Sequence, residues 1–256
     1  MCYDLHARPP LPPIRGAAVD AGPVSLTAAD GVQLAAYAAR AEAPGGAGMV
    51  VLPDVRGLHP FFEELALRFA EAGISAVAID YFSRTAGAGT RGEGFDYAAH
   101  VPQTRFGTLN MDVAAAVDHL RSAEGGAAER IYTVGFCFGG RLSFLQATTG
   151  QGLAGVIGFY GWPVGTNSAG LPAPADVADR FECPVLALWG GADRGIGSDA
   201  ITRFGDALAT AGVTHRSVVY PDAPHSFFDR RAVEHAAASE DAWRQVLDFI
   251  QAGPDF

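Results

Sequence analysis

Short apolar runs alternate with stretches of helical periodicity along most of the chain. Residues 48–52 and 75–79 are apolar runs typical of buried strands. Between them, apolar residues recur at i, i+4 and i+8 from Phe61, which predicts a helix over 61–72. The alternation continues with strands predicted at 131–134, 155–160, 185–189 and 218–220 and helices around 109–120, 201–208 and 243–250. Because this alternation is typical of a parallel sheet covered on both faces, the predicted fold is α/β with a mostly parallel central sheet.

Other kinds of segment frame this pattern. The Asp30-Gly31 dipeptide, between two strand-like runs, predicts a β-hairpin. Residues 1–23 contain five prolines and predict an extended arm, so that 24–256 is predicted to form one domain. The segments 80–107 and 161–183 are predicted as long loops, and loops of that length in compact domains often carry function.

Composition and charge narrow the class of protein. The chain has 256 residues, of which 49% are hydrophobic and 18% charged, as in a globular domain that buries a large core. Its formal net charge of −10 disfavours nucleic acid or an anionic membrane as a partner. Apolar runs stay shorter than the roughly 18 residues that a membrane-spanning helix needs.

The N-terminus and the cysteines indicate a compartment. Residues 1–10 lack an apolar segment, so no signal peptide is predicted. Cys2, Cys137 and Cys183 are odd in number and far apart, which disfavours a disulfide framework, and the lack of a C-x-x-C motif disfavours a redox protein. The expected location is a reducing cytoplasm, where a thiol stays usable.

The run 135–140, Gly-Phe-Cys-Phe-Gly-Gly, carries the strongest chemical signal. It follows a predicted strand and opens a helical stretch, which is the context of a nucleophile elbow with Cys137 in place of the usual serine. The turn is so tight that only residues without Cβ clear it on either side, and the nucleophile sits in a strained backbone conformation. The alternative is that Cys137 is a small buried hydrophobe in a glycine-rich turn.

A cysteine nucleophile needs a base and a group that orients the base. In hydrolases with this elbow the chain order is nucleophile, acid, histidine, each on a loop after a strand. Of the seven histidines, only His225 has both this order and such a loop. His59 and His100 lie in segments that could line a pocket, and the alternative for His225 is a surface-loop histidine.

The acid is predicted at Asp193, on the loop that follows the strand at 185–189. Asp222 lies on the histidine's own loop and Asp199 resembles a helix N-cap, so both are weaker candidates. The alternative for Asp193 is a residue that only stabilises a turn.

Two backbone N–H groups are predicted to form an oxyanion hole. One belongs to Phe138, directly after the nucleophile and at the start of a helix. The other is expected on the loop after the first parallel strand, where Val55 is the candidate donor.

Six motifs, taken in order, resemble those of the dienelactone hydrolase family over roughly residues 24–250. The resemblance implies an α/β-hydrolase fold and a Cys–His–Asp triad without metal or organic cofactor. It also implies hydrolysis of an ester or lactone through a thioester. The motifs lie at 52–57, 79–84, 135–140, 158–161, 190–193 and 225–227.

The chain departs from the founding members of that family at positions near the substrate. Those members place a Glu, which holds the resting cysteine, at the position of Asp54, and they hold a substrate carboxylate with two arginines. Arg84 matches one arginine, whereas the other, four residues after the histidine, is Asp229, with Arg230 and Arg231 beside it. Because Asp229 would repel a carboxylate unless a neighbouring arginine turns in, dienelactone itself is disfavoured as the substrate.

Loop residues are predicted to complete the substrate site. The candidates are Asp54, Phe82, Arg84, Tyr160, Trp162 and Phe228. For the aromatic residues and Arg84, ordinary packing in the core or at the rim of a pocket is the alternative.

Two other classes of protein are alternatives to a hydrolase. A class I glutamine amidotransferase also has a cysteine elbow, but its acid lies two residues after the histidine, where this chain has Phe227. A non-catalytic protein of this fold, kept for binding or regulation, is the alternative function. The expected partner is a small-molecule ester or lactone, with no nucleic acid and no membrane, and the expected state is a monomer or a small homo-oligomer.

Overall fold

An eight-stranded sheet organises the computed structural model, which describes residues 7–13, 19–42, 46–89 and 91–253. The strand order is β1-β2-β4-β3-β5-β6-β7-β8. The strands are β1 Val19–Thr27, β2 Gln33–Ala41, β3 Ala47–Leu52, β4 Ser75–Ile79, β5 Arg130–Phe136, β6 Gly155–Phe159, β7 Val185–Gly190 and β8 His215–Tyr220.

The strands run mostly parallel. β1 and β2 form an antiparallel hairpin whose register pairs Thr27 with Gln33, and β2 pairs antiparallel with β4. From β4 to β8 every neighbouring pair is parallel. The prediction of an α/β fold with a mostly parallel central sheet is therefore confirmed.

Helices pack around this sheet. They are α1 Pro60–Glu71, α2 Ser83–Ala86, α3 Tyr97–His100, α4 Phe106–Arg121, α5 Phe138–Gln146, α6 Ser198–Thr210 and α7 Ala236–Ala252. α1 contacts β2 and β4, α4 contacts β3 and β4, and α5 contacts β5 and β6. The helix predicted over 61–72 is α1, and it ends just before Gly73, whose φ of 83° stops the helix.

The N-terminal boundary differs from the prediction. β1 begins at Val19, four residues before the predicted end of the arm at residue 23. Its Pro23 pairs opposite Tyr37 in an edge strand, the position in a sheet where proline is tolerated. Residues 1–6 and 14–18 of the predicted arm lie outside the described residues, and so does most of the segment used to judge a signal peptide.

The two predicted long loops contain short helical turns that leave no readable periodicity. The segment 80–107 contains α2, α3, a 3-10 turn at Val101–Gln103 and the start of α4. The segment 161–183 contains 3-10 turns at Pro174–Asp176 and Ala178–Arg180. One-turn helices hold three or four residues, too few for a hydrophobic period to repeat.

Burial of the strands explains why they read as continuous apolar runs. Every residue of β3, β4, β6 and β7 is buried, because helices or loops cover both faces of the sheet. In a parallel sheet the carboxyl ends of neighbouring strands meet at one edge, so the loops after β3, β5, β6, β7 and β8 gather there. Among the described helices, none combines the length and the apolar character needed to cross a bilayer.

Candidate active site

Cys137 occupies the turn between β5 and α5 and has a backbone conformation that few side chains adopt. Its φ is 57° and its ψ is −115°, and its side chain is buried, with 4% of the residue exposed. A residue held at positive φ is strained and persists only where its surroundings fix it. The predicted elbow is therefore present as a strained strand-to-helix turn.

The two flanking glycines are explained by close backbone approach. A Cβ on Gly135 would lie 1.9 Å from the carbonyl oxygen of Gly139. A Cβ on Gly139 would lie 2.1 Å from the carbonyl oxygen of Pro53 and 2.2 Å from that of Leu52. Glycine is thus required for α5 to pass this close to β5 and to the end of β3.

His225 and Asp193 form a hydrogen-bonded pair, although they lie 32 residues apart in the chain. His225 Nδ1 lies 2.7 Å from Asp193 Oδ2. The other carboxylate oxygen of Asp193 accepts the backbone N–H of Gly195 at 2.8 Å, and that bond fixes the carboxylate plane. The pair is largely buried, which strengthens its electrostatic interaction.

Two aromatic side chains enclose the imidazole of His225. The ring of Tyr160 lies 4.8 Å from it and the ring of Trp162 lies 4.7 Å from it, centroid to centroid. Tyr160 follows β6 and is itself at positive φ, 40°, as is Ser226 at 61°. Three of the four described non-glycine residues with positive φ therefore belong to this site, as expected where backbone strain serves a function.

A cavity of about 690 Å³ opens beside the His225–Asp193 pair. Its walls include both members of the pair, Trp162 and several charged side chains. The charged lining residues are Arg194, Asp222, Arg230 and Arg231, joined by His235. A second cavity, of about 210 Å³, is lined by Phe138, Arg141, Trp162, Val164, Thr166 and Asn167. Trp162 lines both cavities, so the elbow helix and the histidine share one region of the surface.

Phe138 and Val55, the predicted oxyanion donors, lie on segments that meet at the elbow. Phe138 is the first residue of α5, where a backbone N–H has no intrahelical acceptor. Val55 lies in a turn whose Gly57 N–H donates to the Asp54 carbonyl at 3.0 Å. The approach of Gly139 to Pro53 places this turn against the helix start. A two-donor oxyanion hole remains a prediction.

A buried charge cluster of Asp54, Arg56 and Asp229 lies next to this region. Arg56 Nη2 lies 2.6 Å from Asp54 Oδ2 and 4.0 Å from Asp229 Oδ2. The Tyr160 hydroxyl donates to Asp229 Oδ2 at 3.4 Å. The guanidinium thus joins the two carboxylates, and Asp229 faces Arg56 rather than the larger cavity.

His59 lies beside the charge cluster and is fully buried. Its Nε2 lies 3.9 Å from Asp54 Oδ1, and within the described residues neither ring nitrogen makes a hydrogen bond. Burial lowers the pKa of His59 to about 3, and the nearby charge of Arg56 acts in the same direction. His59 is therefore a neutral imidazole at neutral pH. His100, the other candidate, has its Nδ1 3.0 Å from Thr85 Oγ1 and is not among the residues that line the cavity beside the pair.

Four of the predicted substrate-binding residues make contacts within the protein, and their role in binding substrate remains a prediction. The Arg84 guanidinium forms ion pairs with Asp30 and Asp112, both at 2.7 Å. Phe82 and Phe228 are buried, because they pack in aromatic clusters of the core. Asp54 is engaged by Arg56, whereas Tyr160 and Trp162 do contact the histidine.

Sequence reasoning missed Arg56, Tyr81 and Arg141. The Tyr81 hydroxyl lies 2.8 Å from the Pro53 carbonyl oxygen and 2.7 Å from that of Asp54, so it braces the loop that carries Val55. The position of Arg56, two residues after an acid that follows a strand, was a readable signal for a local ion pair. No comparable pattern marks Tyr81.

In the part of the chain that the structure describes, no group of three or more His, Cys, Asp or Glu side chains is arranged to hold a metal ion.

A mostly parallel eight-stranded sheet, an elbow after its fifth strand and a histidine–carboxylate pair on later loops define an α/β-hydrolase. Solved structures agree: a crystal structure titled "Putative Dienelactone Hydrolase", from Klebsiella pneumoniae, superimposes with a TM-score of 0.80 at 30% identity, over 91% of this chain and 99% of that one. The chain belongs to the dienelactone hydrolase family, whose match covers residues 34–253.

Relatives of known name support an esterase. A Salmonella typhimurium protein named "Putative carboxymethylenebutenolidase" is 33% identical over 92% of this chain and 89% of its own length. A Bradyrhizobium protein named "Probable 2-oxo-3-(5-oxofuran-2-ylidene)propanoate lactonase" is 27% identical over 84% of this chain and 88% of its own. Together with the family, these similarities identify a hydrolase of carboxylic esters that acts on small molecules.

Proposed function

We propose that the chain hydrolyses a small ester or lactone through a thioester on Cys137. The observation that supports this most directly is the 2.7 Å bond between His225 and Asp193 on loops that follow the strained elbow of Cys137. Nucleophile, acid and histidine occur in the chain order that this fold uses.

In the first half of the reaction, His225 Nε2 takes the proton of the Cys137 thiol as the sulfur attacks the carbonyl carbon. The carbonyl oxygen becomes an oxyanion that accepts hydrogen bonds from the N–H groups of Phe138 and Val55. The bond to the alkoxy oxygen then breaks, and Nε2 returns its proton to that oxygen. A thioester and an alcohol result, joined in one molecule when the substrate is a lactone.

In the second half, a water attacks the thioester carbon and gives a proton to His225 Nε2. The carbon–sulfur bond breaks, the sulfur recovers the proton, and the carboxylic acid leaves. In both halves Asp193 stabilises the imidazolium and holds the tautomer with hydrogen on Nδ1, because its Oδ2 accepts that hydrogen.

Trapping the thioester tests this proposal. The protein is mixed with p-nitrophenyl acetate, quenched in acid within the first turnover, digested and analysed by mass spectrometry. We expect a 42 Da acetyl adduct (one acetyl group replacing one hydrogen) on the peptide that contains Cys137. Cys183 serves as an internal control: it is buried, and burial raises the pKa of its thiol to about 12, so it stays protonated and unacylated.

A quenched protein that turns over the ester yet carries no adduct on Cys137 would contradict the thioester mechanism. Acylation of His225 or of a serine in place of Cys137 would contradict it as well. The non-catalytic alternative is not favoured, because the chain belongs to a hydrolase family and retains the histidine–carboxylate pair.

We also propose that substrates with a negatively charged group are accepted, contrary to the expectation from Asp229 alone. That carboxylate is buried and faces Arg56, so it does not line the larger cavity. Arg230 does line that cavity, and its side chain makes no ion pair within the described residues. Arg231 lines the cavity too, but its guanidinium is neutralised by Glu234 at 2.7 Å.

Replacing Arg230 therefore discriminates between substrates. We expect Arg230→Gln to raise KM for an anionic ester, such as a p-nitrophenyl hemisuccinate, by about 5- to 10-fold, the effect of one partly screened charge. KM for neutral p-nitrophenyl acetate should change less than about twofold. Steady-state kinetics at low ionic strength measure both values.

Arg231→Gln is the matched control, since it removes a charge from the same cavity wall that Glu234 already compensates. It should change both KM values less than Arg230→Gln does. Equal effects of Arg230→Gln on the anionic and neutral esters would count against charge recognition.

A further inference from the structure

Arg141 is a buried arginine whose partners are all backbone carbonyls. It lies one turn after Cys137 on α5, and 2% of the residue is exposed. Its Nη1 lies 3.4 Å from the carbonyl oxygens of Trp162 and Val164. Its Nη2 lies 2.8 Å from that of Gly165, 3.0 Å from that of Leu171 and 2.9 Å from that of Pro172.

These five carbonyls take the place of a carboxylate. Within the described residues no acidic side chain lies at ion-pair distance from the guanidinium, and Nε has no hydrogen-bond partner. A buried charge that lacks a counter-ion is costly unless dipoles surround it, and here the negative ends of five peptide dipoles do so. No other side chain has enough N–H groups in one plane to serve all five oxygens.

The segment that Arg141 holds has little other bonding. Residues 161–172 contain no helix or strand. Apart from Arg141, the bonds to the backbone of this segment are few: Gly170 N–H donates to the Asn167 carbonyl at 3.1 Å, Leu171 N–H donates to Asn167 Oδ1 at 3.0 Å, and Ala175 N–H donates to Pro163 at 2.9 Å. The conformation of the segment therefore depends on the guanidinium.

The same segment carries Trp162, which contacts His225 directly and is linked to Asp193 through Gly195. Its ring packs on His225, and its Nε1–H donates to the Gly195 carbonyl at 3.1 Å. Gly195 in turn donates its backbone N–H to Asp193 Oδ1 at 2.8 Å. A continuous set of contacts thus runs from the helix that begins after Cys137, through Arg141 and Trp162, to Asp193 and His225.

We propose that Arg141 is a positioning residue, which sets the placement of the His225–Asp193 pair relative to Cys137 by holding Trp162. This inference rests on the proposed function, because it assigns a role in reactions that His225 catalyses. Misplacement of a catalytic group by about 1 Å costs about 100-fold in rate, so loss of this contact should lower kcat more than it alters KM.

A double-mutant cycle tests the coupling. The variants are Arg141→Lys, which keeps the charge but offers fewer N–H groups, Trp162→Phe, which keeps a ring but loses the bond to Gly195, and the double variant. We expect each single variant to lower kcat for p-nitrophenyl acetate by about 10- to 100-fold, with KM within about threefold. If the two residues act through one path, kcat of the double variant should be no lower than kcat of the more damaging single variant. The two effects are then non-additive.

A pH profile of kcat separates positioning from general stability. If the pair is misplaced, the limb of the profile that reports the imidazole should move in both single variants. Arg121→Lys is the matched control, because Arg121 also donates to two loop carbonyls, those of Gln151 and Gly152, but on a loop away from His225. It should leave kcat and the pH profile unchanged, whatever it does to the melting temperature.

Multiplicative effects in the double variant would overturn the inference, and so would an unchanged kcat in either single variant. If Arg141→Lys does not fold, Trp162→Phe decides alone: a lower kcat with a moved pH limb supports the inference, and a wild-type profile overturns it. These outcomes are distinct from failure of the proposed function, which a lack of acyl adduct on Cys137 in the wild-type protein would show.

Discussion

Cys137→Ala is expected to lower kcat for p-nitrophenyl acetate by about 10⁴-fold or more, because it removes the atom that attacks the carbonyl. Alanine is the appropriate replacement: it retains a Cβ at the strained φ of 57°, so the elbow keeps the conformation in which Gly135 and Gly139 contact their neighbours. The measurement is steady-state hydrolysis followed by release of p-nitrophenol, with circular dichroism to show that the variant is folded.

Cys183→Ala provides the comparison for this loss. Cys183 is also a buried thiol, but it is a core residue and lies on neither cavity wall. We expect kcat of the Cys183→Ala variant to stay within about twofold of the wild type. The lost packing should at most lower its melting temperature. Turnover by Cys137→Ala within about threefold of wild type would end the assignment of the nucleophile.

Asp193→Asn is expected to lower kcat by about 10³- to 10⁴-fold while leaving KM nearly unchanged. The asparagine keeps the shape of the side chain, and its oxygen can still accept the Gly195 N–H. Its amide nitrogen, however, places a donor opposite His225 Nδ1, which favours the wrong tautomer and removes the charge that stabilises the imidazolium.

Asp222→Asn is the matched control for this substitution. Asp222 lines the same cavity and lies three residues from His225, yet it is exposed, and its carboxylate makes no hydrogen bond to the imidazole in the described contacts. Its kcat should change less than about threefold. If Asp222→Asn lost the activity and Asp193→Asn kept it, the acid of the proposed triad would have to be reassigned.

Much of the fold could be predicted from the sequence because its strands are buried on both faces. A strand such as β7 reads as an unbroken apolar run, and the helix α1 between two such strands repeats every 3.6 residues. The edge strand β1 was harder, since it is exposed along most of its length and contains Pro23. Where burial on one or both faces weakens, the pattern that marks an element weakens with it.

The site residues on loops that follow strands could be predicted, whereas the ion pairs between distant segments could not. The loop that holds His225 and the one that holds Asp193 could be located, because parallel strands must release their loops at one edge of the sheet. The partners of Arg84 could not be read, because Asp30 lies 54 residues away and Asp112 lies 28 residues away. Ion pairs between distant segments leave no mark in either segment alone.

Arg141 shows the same limit at shorter range. Next to the elbow its charge suggests a residue on the solvent side of a helix, yet it is buried, because the loop after β6 folds its carbonyls around the guanidinium. A loop without periodicity gives no sign of where its carbonyl groups point.

The buried charge cluster constrains how the substrate preference of this enzyme could be redesigned. Asp54, Arg56 and Asp229 share one guanidinium between two carboxylates at a site closed to water. Replacing Asp229 alone with arginine would place two guanidinium groups side by side and remove one carboxylate of the cluster. Removing one partner of a buried ion pair typically lowers the free energy of unfolding by about 3–5 kcal/mol. In a design library the three positions therefore have to be varied together. A variant in which only one of them is exchanged is expected to lose stability before it gains a new specificity.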